Sequence, residues 1–359
     1  MDGKKGMLAA GGIVGLLSVL LVVFGNPANM GYCIACFVRD IAGGVGMHRA
    51  EVVQYVRPEV MGLVIGAFIM AKSRGEFVSK GGSSPFVRFF LGALMMIGAL
   101  VFLGCPLRMV LRLAGGDLNA LPAIAGFIAG IGIGIFFLNR GYNLKRNYTL
   151  AKPEGYAFPF LNVLLLVILV IFPGVLFFSE SGPGSMRAPL LLALASGLIV
   201  GAVAQRTRLC TMGGIRDIIL FRDSHLFLGF LGVFVIALVG NIASGNFVLG
   251  FAGQPVAHTE SLWNFMGMLV VGYAAVLLGG CPLRQLILAA EGNTDSAITV
   301  MGMLVGAAFA HNMSLASSPA GASPNGKIAV IVTLIILTGV AYFNSELAES
   351  RVKGGVKVG

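Results

Sequence analysis

Long stretches of apolar residues alternate with short polar loops along the chain. Nine of them contain no Asp, Glu, Lys or Arg over a length close to the roughly 20 residues that a membrane-spanning helix needs. A tenth, 60–71, is shorter, and we expect it to extend into 52–56. The pattern predicts about ten transmembrane helices. The nine longer stretches are 6–38, 89–107, 118–139, 155–179, 188–205, 224–259, 261–283, 296–326 and 328–345.

The composition excludes several classes of protein. Hydrophobic residues make up 57% of the chain and charged residues only 11%, whereas soluble domains average roughly 25% charged residues. The mean hydropathy is +0.91. A water-soluble enzyme, a nucleic-acid-binding protein and a disordered chain are therefore excluded. We expect an all-α integral membrane protein, for which membrane lipid is a partner and nucleic acid is not.

The basic residues predict how the chain is oriented. Cytoplasmic loops of membrane proteins carry an excess of lysine and arginine. If Lys4 and Lys5 are cytoplasmic and the chain crosses ten times, the three long loops left outside hold a single basic residue, Arg187. This predicts a multi-pass protein of the bacterial inner membrane with both termini in the cytoplasm. Five arginines fall on the outer side instead, namely Arg39, Arg49, Arg57, Arg108 and Arg112. We expect Arg49 and Arg57 to extend along helix ends to the membrane surface.

Two short motifs each occur twice in the chain. Cys33 precedes Arg39-Asp40 by the same spacing as Cys210 precedes Arg216-Asp217, and Gly-Cys-Pro-Leu-Arg occurs at 104–108 and at 280–284. The two offsets, 177 and 176 residues, are nearly equal. Each half then has about five spans, an odd number, so the halves must be inverted relative to each other, as in many transporters. We predict a first repeat over 1–180, a second over 181–345 and a cytoplasmic tail over 346–359, all in one membrane domain.

Four short segments lie between the predicted spans, and each is too short to cross a membrane alone. Each begins near a cysteine of the repeated motifs and brings an arginine into apolar surroundings. Irregular backbone is tolerated at membrane depth only where protein or a water-filled cavity covers it. We therefore predict four re-entrant helices that enter as two opposed pairs and give the molecule an hourglass shape. Their cysteines are Cys33, Cys105, Cys210 and Cys281.

The motif residues suit a site for a soft anion. Proline favours the first turn of a helix, so the preceding cysteine falls near the N-cap, where unpaired N–H groups and the helix dipole attract anions. A thiol is a weak donor and acceptor with a polarizable sulfur. We expect the four motif cysteines to line a substrate path, the arginines to attract the anion and the aspartates to orient the arginines. These arginines are Arg39, Arg108, Arg216 and Arg284, and the aspartates are Asp40 and Asp217.

One cysteine stands outside this symmetric set. Cys36 forms a Cys-x-x-Cys pair with Cys33, but Gly213 occupies the equivalent position in the second half. A zinc site typically takes four ligands, and the four histidines are scattered along the chain. We therefore predict no metal and no cofactor, and we keep Cys36 as an additional candidate for the site.

The repeated strings resemble those of the YeeE/YedE family of sulfur-compound transporters. The stretch 26–40, Asn-Pro-Ala-Asn-Met-Gly-Tyr-Cys-Ile-Ala-Cys-Phe-Val-Arg-Asp, is more similar still to the YedE branch associated with selenium metabolism, and the resemblance covers roughly 11–342. It implies an hourglass-shaped inner-membrane permease in which cysteines along a narrow path contact a thiosulfate-like anion or a selenium species. It also implies a small cytoplasmic sulfur-carrier protein of the TusA/SirA type as a partner.

Two other functions stay open from the sequence. A membrane thiol oxidoreductase or sulfurtransferase would use Cys33 and Cys36 as a redox or persulfide pair. A channel for an unrelated small anion would need the arginines but not the cysteines. The chain has no Walker A motif and hence no built-in ATPase of that type. We predict a permease rather than an enzyme.

Overall fold

The computed structural model describes residues 3–347, which are mostly helical. Within them, fourteen α-helices are joined by short loops that include two 3-10 turns (Glu51–Val53 and Pro173–Val175) and two short antiparallel strands, β1 (Lys80–Gly81) and β2 (Tyr148–Thr149). In chain order the helices are α1 (Lys4–Val23), α2 (Ile34–Gly44), α3 (Pro58–Ser73), α4 (Pro85–Phe102), α5 (Pro106–Ala114), α6 (Ala120–Leu138), α7 (Lys152–Ile171), α8 (Leu190–Thr207), α9 (Thr211–Phe221), α10 (His225–Ala243), α11 (Ser261–Leu278), α12 (Pro282–Ala290), α13 (Thr294–Asn312) and α14 (Pro324–Phe343).

The long helices confirm an all-α, multi-pass membrane protein. Nine segments of the part of the chain that the structure describes are long and apolar enough to cross a membrane. One of them is Glu51–Ser73, so the shortest predicted span does extend toward 52–56. Helix α13 has 19 residues but is not among the nine, because it begins with the polar turn Thr294-Asp295-Ser296 and ends with His311-Asn312.

Four helices are much shorter than the others. Helices α2 and α9 have 11 residues each, and α5 and α12 have nine each. At 1.5 Å per residue they are about 14–17 Å long, roughly half the thickness of the hydrocarbon core. Every residue of α2 is buried. That these helices re-enter the membrane from opposite sides remains a prediction.

The long helices pack mainly across the two halves of the chain. The most extensive contacts join α1 to α10, α3 to α8, α4 to α13 and α6 to α11. Glycines allow the backbones to come close: a Cβ added at Gly66 would lie 2.1 Å from the carbonyl oxygen of Leu198, and one at Gly130 would lie 2.1 Å from that of Leu269. The two halves are therefore interlocked. The repeat boundaries stay a prediction, and the tail over 346–359 lies outside the described residues except for its first two positions.

Candidate anion-binding site

The three cysteines of the first half form one buried group, which we call the first-half cluster: Cys33, Cys36 and Cys105. Cys33 is the N-cap of α2, and its sulfur accepts a hydrogen bond from the backbone N–H of Cys36 at 3.3 Å. The Sγ atoms of Cys33 and Cys36 are 2.7 Å apart. Cys105 is the N-cap of α5, and its thiol contacts that of Cys33. The N-termini of α2 and α5 therefore converge on these thiols.

The second half repeats this arrangement with two cysteines, the second-half pair Cys210 and Cys281. Cys210 is the N-cap of α9 and accepts from the N–H of Gly213 at 3.4 Å. Cys281 is the N-cap of α12, and its Sγ lies 3.8 Å from that of Cys210 and 3.8 Å from the hydroxyl of Thr211. The N-termini of α9 and α12 therefore converge as those of α2 and α5 do.

The Gly-Cys-Pro sequence explains the local geometry of both motif cysteines. Pro106 and Pro282 occupy the first turns of α5 and α12, and each preceding cysteine has the extended backbone of an N-cap. The predicted N-cap position of both cysteines is confirmed. The thiol of Cys281 contacts the backbone N–H groups of Thr211 and Arg284, so two helix starts are directed at one sulfur. Such N–H groups carry partial positive charge that favours an anion.

Cys210 of the second-half pair lines an open cavity of about 470 Å³. Among the predicted site residues, Cys210, Arg216, Asp217 and Arg284 line it. The guanidinium of Arg216 pairs with Asp217 at 2.8 Å, as the sequence predicted for an orienting aspartate, and Arg284 pairs with Glu291 at 3.1 Å. The cavity is therefore lined both by partly exposed arginines and by the thiol of Cys210.

Sequence reasoning missed three further residues of this open cavity: Arg206, Arg208 and His225. The two arginines entered the sequence analysis only through the general excess of basic residues on the cytoplasmic side. Their position four and two residues before Cys210 was the available signal. With them, four arginines and one aspartate are among the described residues that line the cavity, so basic residues outnumber acidic ones in this lining.

The carboxylate of Glu76 contacts Gln205, the residue before Arg206 of the open cavity, and it is ionised. Gln205 donates a side-chain hydrogen bond to Glu76 at 2.8 Å, and Arg74 lies 3.6 Å from the same carboxylate. The hydrogen bond from Gln205 and, to a smaller extent, the positive charge of Arg74 lower the pKa of Glu76 below its ordinary value. Glu76 thus stays negatively charged at neutral pH and offsets part of the basic charge at this end of the molecule.

The equivalent charged residues of the first half are buried instead. The Asp40 carboxylate is 2.7 Å from Arg39 through one oxygen and 2.7 Å from Arg57 through the other. Arg57 is fully buried, so the expectation that it extends to the membrane surface is wrong: the carboxylate of Asp40 holds it inside the protein. Arg49 is exposed and lies over the ring of Phe177.

Arg108 is likewise enclosed by protein. Its guanidinium donates to the backbone carbonyls of Leu103 and Val256, among others, and one nitrogen lies 3.8 Å from Cys36 Sγ. Arg284, the matching residue in the second half, faces the open cavity. The two copies of the motif therefore have the same local fold but different access to solvent.

A covering segment, residues 176–188, lies over the end of α2 and over Arg57. The backbone N–H of Phe177 donates to Gly44 and that of Gly184 donates to Val52, which fastens the segment over the end of α2. Arg57 donates to the carbonyls of Pro183 and Met186 at 2.9 and 3.1 Å. The segment therefore lies beside the buried ion pair of Arg57 and Asp40, whereas Cys33 caps the opposite end of α2.

Comparison with known proteins finds similarity to sulphur transport proteins in the second half of the chain. Residues 206–344 match the family model described as sulphur transport. The thiosulfate transporter TsuA of Spirochaeta thermophila is 32% identical over 103 residues, 29% of this chain and 31% of that protein. The thiosulfate transporter TsuA of Escherichia coli is 29% identical over 124 residues, 33% of this chain and 34% of that protein. The matched part spans about a third of each relative. This match over residues 206–344, which include Cys210 and Cys281, agrees with the YeeE/YedE resemblance of the motifs.

Proposed function

We propose that the protein is a membrane transporter, rather than an enzyme, that takes up a thiosulfate-like sulfur anion. The observation that carries this proposal is the open cavity of about 470 Å³, which is lined by arginines and by Cys210, whose sulfur lies 3.8 Å from that of Cys281. The sulphur-transport family match covers the same residues. The relatives named as thiosulfate transporters support the choice of anion.

The chemistry of the site fits a soft divalent anion. Arginines and helix N-termini offset the loss of water around the negative charge. The thiols offer a polarizable surface and weak hydrogen bonds to the terminal sulfur of the anion. A series of weak contacts allows an ion both to enter and to leave, whereas one strong site would retain it. We therefore assign Cys33, Cys105, Cys210 and Cys281 to the path.

The proposal includes the inverted repeat and the direction in which the site is open. In the proposed repeat, α1, α3, α4 and α6 of the first half correspond to α8, α10, α11 and α13 of the second. The contact of α1 with α10 then corresponds to that of α8 with α3, and the contact of α6 with α11 to that of α13 with α4. All four contacts are among the most extensive. By the distribution of basic residues, the open cavity faces the cytoplasm of a bacterial inner membrane. The covering segment then closes the opposite side.

Uptake of labelled thiosulfate tests the function directly. Cells without their own thiosulfate uptake should accumulate the label when they produce this protein, and control cells with an empty vector should not. Unlabelled selenium-containing anions should compete, because selenium is a larger and more polarizable relative of sulfur. Failure of all these anions to enter would contradict the proposal. Co-production of a TusA/SirA-type carrier protein tests the proposed partner in the same assay.

The distance between Cys33 and Cys36 favours a second candidate function. Their sulfurs are 2.7 Å apart at the N-terminus of a helix, a position that suits a redox or persulfide pair. A thiol oxidoreductase or sulfurtransferase would form a disulfide or persulfide at these residues during turnover, whereas transport requires no covalent intermediate. Mass spectrometry of the protein isolated during uptake separates the two functions.

We expect the cysteines to differ in their reactivity toward a membrane-impermeant maleimide. Cys210 lines the open cavity, whereas the first-half cluster is buried and none of its cysteines lines that cavity. In inverted membrane vesicles, with the cytoplasmic face outward, the reagent should label Cys210, and the label should disappear in Cys210→Ala. Equal labelling of the first-half cluster from that face would contradict the proposed access, as would labelling of Cys210 only from the opposite face.

A further inference from the structure

We propose that a second cavity, of about 380 Å³, binds the phosphate of an anionic phospholipid headgroup. The cavity, which we call the headgroup pocket, lies between the end of α3, the paired strands β1 and β2, and the start of α7. It shares no lining residue with the open cavity, so the inference is independent of the proposed transport path. Its polar lining residues are Lys72, Ser79, Thr149, Lys152 and Tyr156.

The charged residues that line the headgroup pocket are both lysines. Among residues 3–347, Lys72, Lys152 and Tyr156 are the only ionisable residues that line it, and none of its lining residues is a carboxylate. Lys72 donates to the hydroxyl of Tyr156 at 2.5 Å, and its ammonium lies 5.2 Å from the ring of Phe77 and 5.1 Å from that of Tyr156. The two aromatic rings therefore hold this cation in place, ready for an anionic group.

The location of the headgroup pocket points to a lipid. Lys72 lies at the end of the candidate span Glu51–Ser73, and Lys152 begins the candidate span Lys152–Ile171. Both residues are therefore at the predicted membrane surface, where aromatic residues such as Tyr156 are also enriched. The distribution of basic residues places this surface in the cytoplasmic leaflet, where lysines and arginines attract anionic lipids.

The helix that leaves the headgroup pocket supplies an apolar surface for acyl chains. Helix α7 is the least enclosed span together with α14, with 28% of its window buried. Phe160 is 67% exposed, and Val167 and Ile171 continue the exposed apolar face toward the other end of the helix. An anionic phospholipid matches both features, a negative headgroup between two lysines and apolar chains along α7. A free phosphate ion would use only the first.

Native mass spectrometry of the purified full-length protein tests this proposal. We expect phosphatidylglycerol to bind in preference to phosphatidylcholine. Each of Lys72→Gln and Lys152→Gln should weaken phosphatidylglycerol binding by about fivefold, the effect of about 1 kcal/mol per basic residue at an anionic surface. Lys145→Gln is the matched control, because Lys145 is exposed, belongs to the loop before α7 and does not line the headgroup pocket. Binding that is unchanged in the double variant Lys72→Gln/Lys152→Gln would overturn the proposal.

Two further measurements identify the source of the anion and exclude misfolding. Inorganic phosphate at millimolar concentration should not displace phosphatidylglycerol; displacement would show that the headgroup pocket binds the free anion and would overturn the assignment to lipid. Lys152→Gln keeps the bond between Lys72 and Tyr156, so its melting temperature should equal that of the unmodified protein. Weaker lipid binding at unchanged melting temperature supports the proposal, and unchanged lipid binding contradicts it.

Discussion

Replacement of Cys281 by alanine should abolish uptake of the sulfur anion while the protein still folds. Cys281 lies 3.8 Å from Cys210, which lines the open cavity, and backbone N–H groups of α9 and α12 are directed at its sulfur. Alanine retains the helix start but removes the polarizable atom that the anion would contact at this point. Cys105→Ala should have the same effect in the first half. Removal of one buried sulfur should cost about 1 kcal/mol of folding stability, so expression should persist.

The control for this result is Cys36→Ala. Cys36 is as deeply buried as Cys105, but Gly213 takes its place in the second half, so a thiol is not required at that position by the repeat. We expect this variant to retain uptake. Uptake is measured with labelled thiosulfate, and the amount of folded protein is measured by size-exclusion chromatography. Normal uptake by both Cys105→Ala and Cys281→Ala would refute the thiol path and favour a general anion channel, for which Arg216 and Arg284 remain necessary.

Replacement of Asp40 by asparagine should destabilise the protein severely. Asp40 is completely buried, and its two carboxylate oxygens are each 2.7 Å from a buried arginine, Arg39 and Arg57. Asparagine has nearly the same shape but no charge, so two guanidinium groups would lose their counter-ion within the protein. Removal of one partner from a buried ion pair costs about 3–5 kcal/mol. We expect the free energy of unfolding to fall by an amount in this range.

Asp217→Asn provides the matched comparison. Asp217 occupies the same motif position in the second half, where within the described part of the chain it pairs with Arg216 only, and the side chains of Arg216 and Asp217 are 30% and 17% exposed. Water screens such a pair, so the loss should be about 1 kcal/mol or less. Both variants are measured by reversible unfolding in detergent micelles. Equal losses for Asp40→Asn and Asp217→Asn would show that the difference in burial between the two motif copies does not matter for stability.

Much of the fold could be predicted from local sequence. The long apolar stretches correspond to helices, and the proline after each Gly-Cys pair places Cys105 and Cys281 at N-caps, because proline fits the first helical turn. The neighbouring Arg216 and Asp217 pair as expected, since adjacent side chains need no tertiary information to meet. These features depend on residues that are close in the chain.

The difference in burial between the two halves could not be predicted, because the motif copies share the same cysteine, arginine and aspartate positions. It arises from residues outside the motifs. Arg57, the N-cap of α3, reaches Asp40 across the loop that follows α2, whereas the N-cap of α10, the third helix of the second half, is Ser224. Long-range backbone hydrogen bonds hold the covering segment 176–188 over the end of α2. Periodicity and spacing carry no information on such contacts.

The interlocked glycine contacts have a consequence for synthesis of the protein in the cell. A Cβ at Gly11 of α1 would lie 1.8 Å from the carbonyl oxygen of Gly229 in α10, and one at Gly66 of α3 would collide with Leu198 in α8. While the ribosome is still producing the second half, the glycine-containing faces of α1 and α3 lack their partner helices α10 and α8. Helices α1 and α3 can therefore complete their packing only after α8 and α10 have been synthesised. A gene divided at the connection between the halves should yield stable protein only when both pieces are produced together.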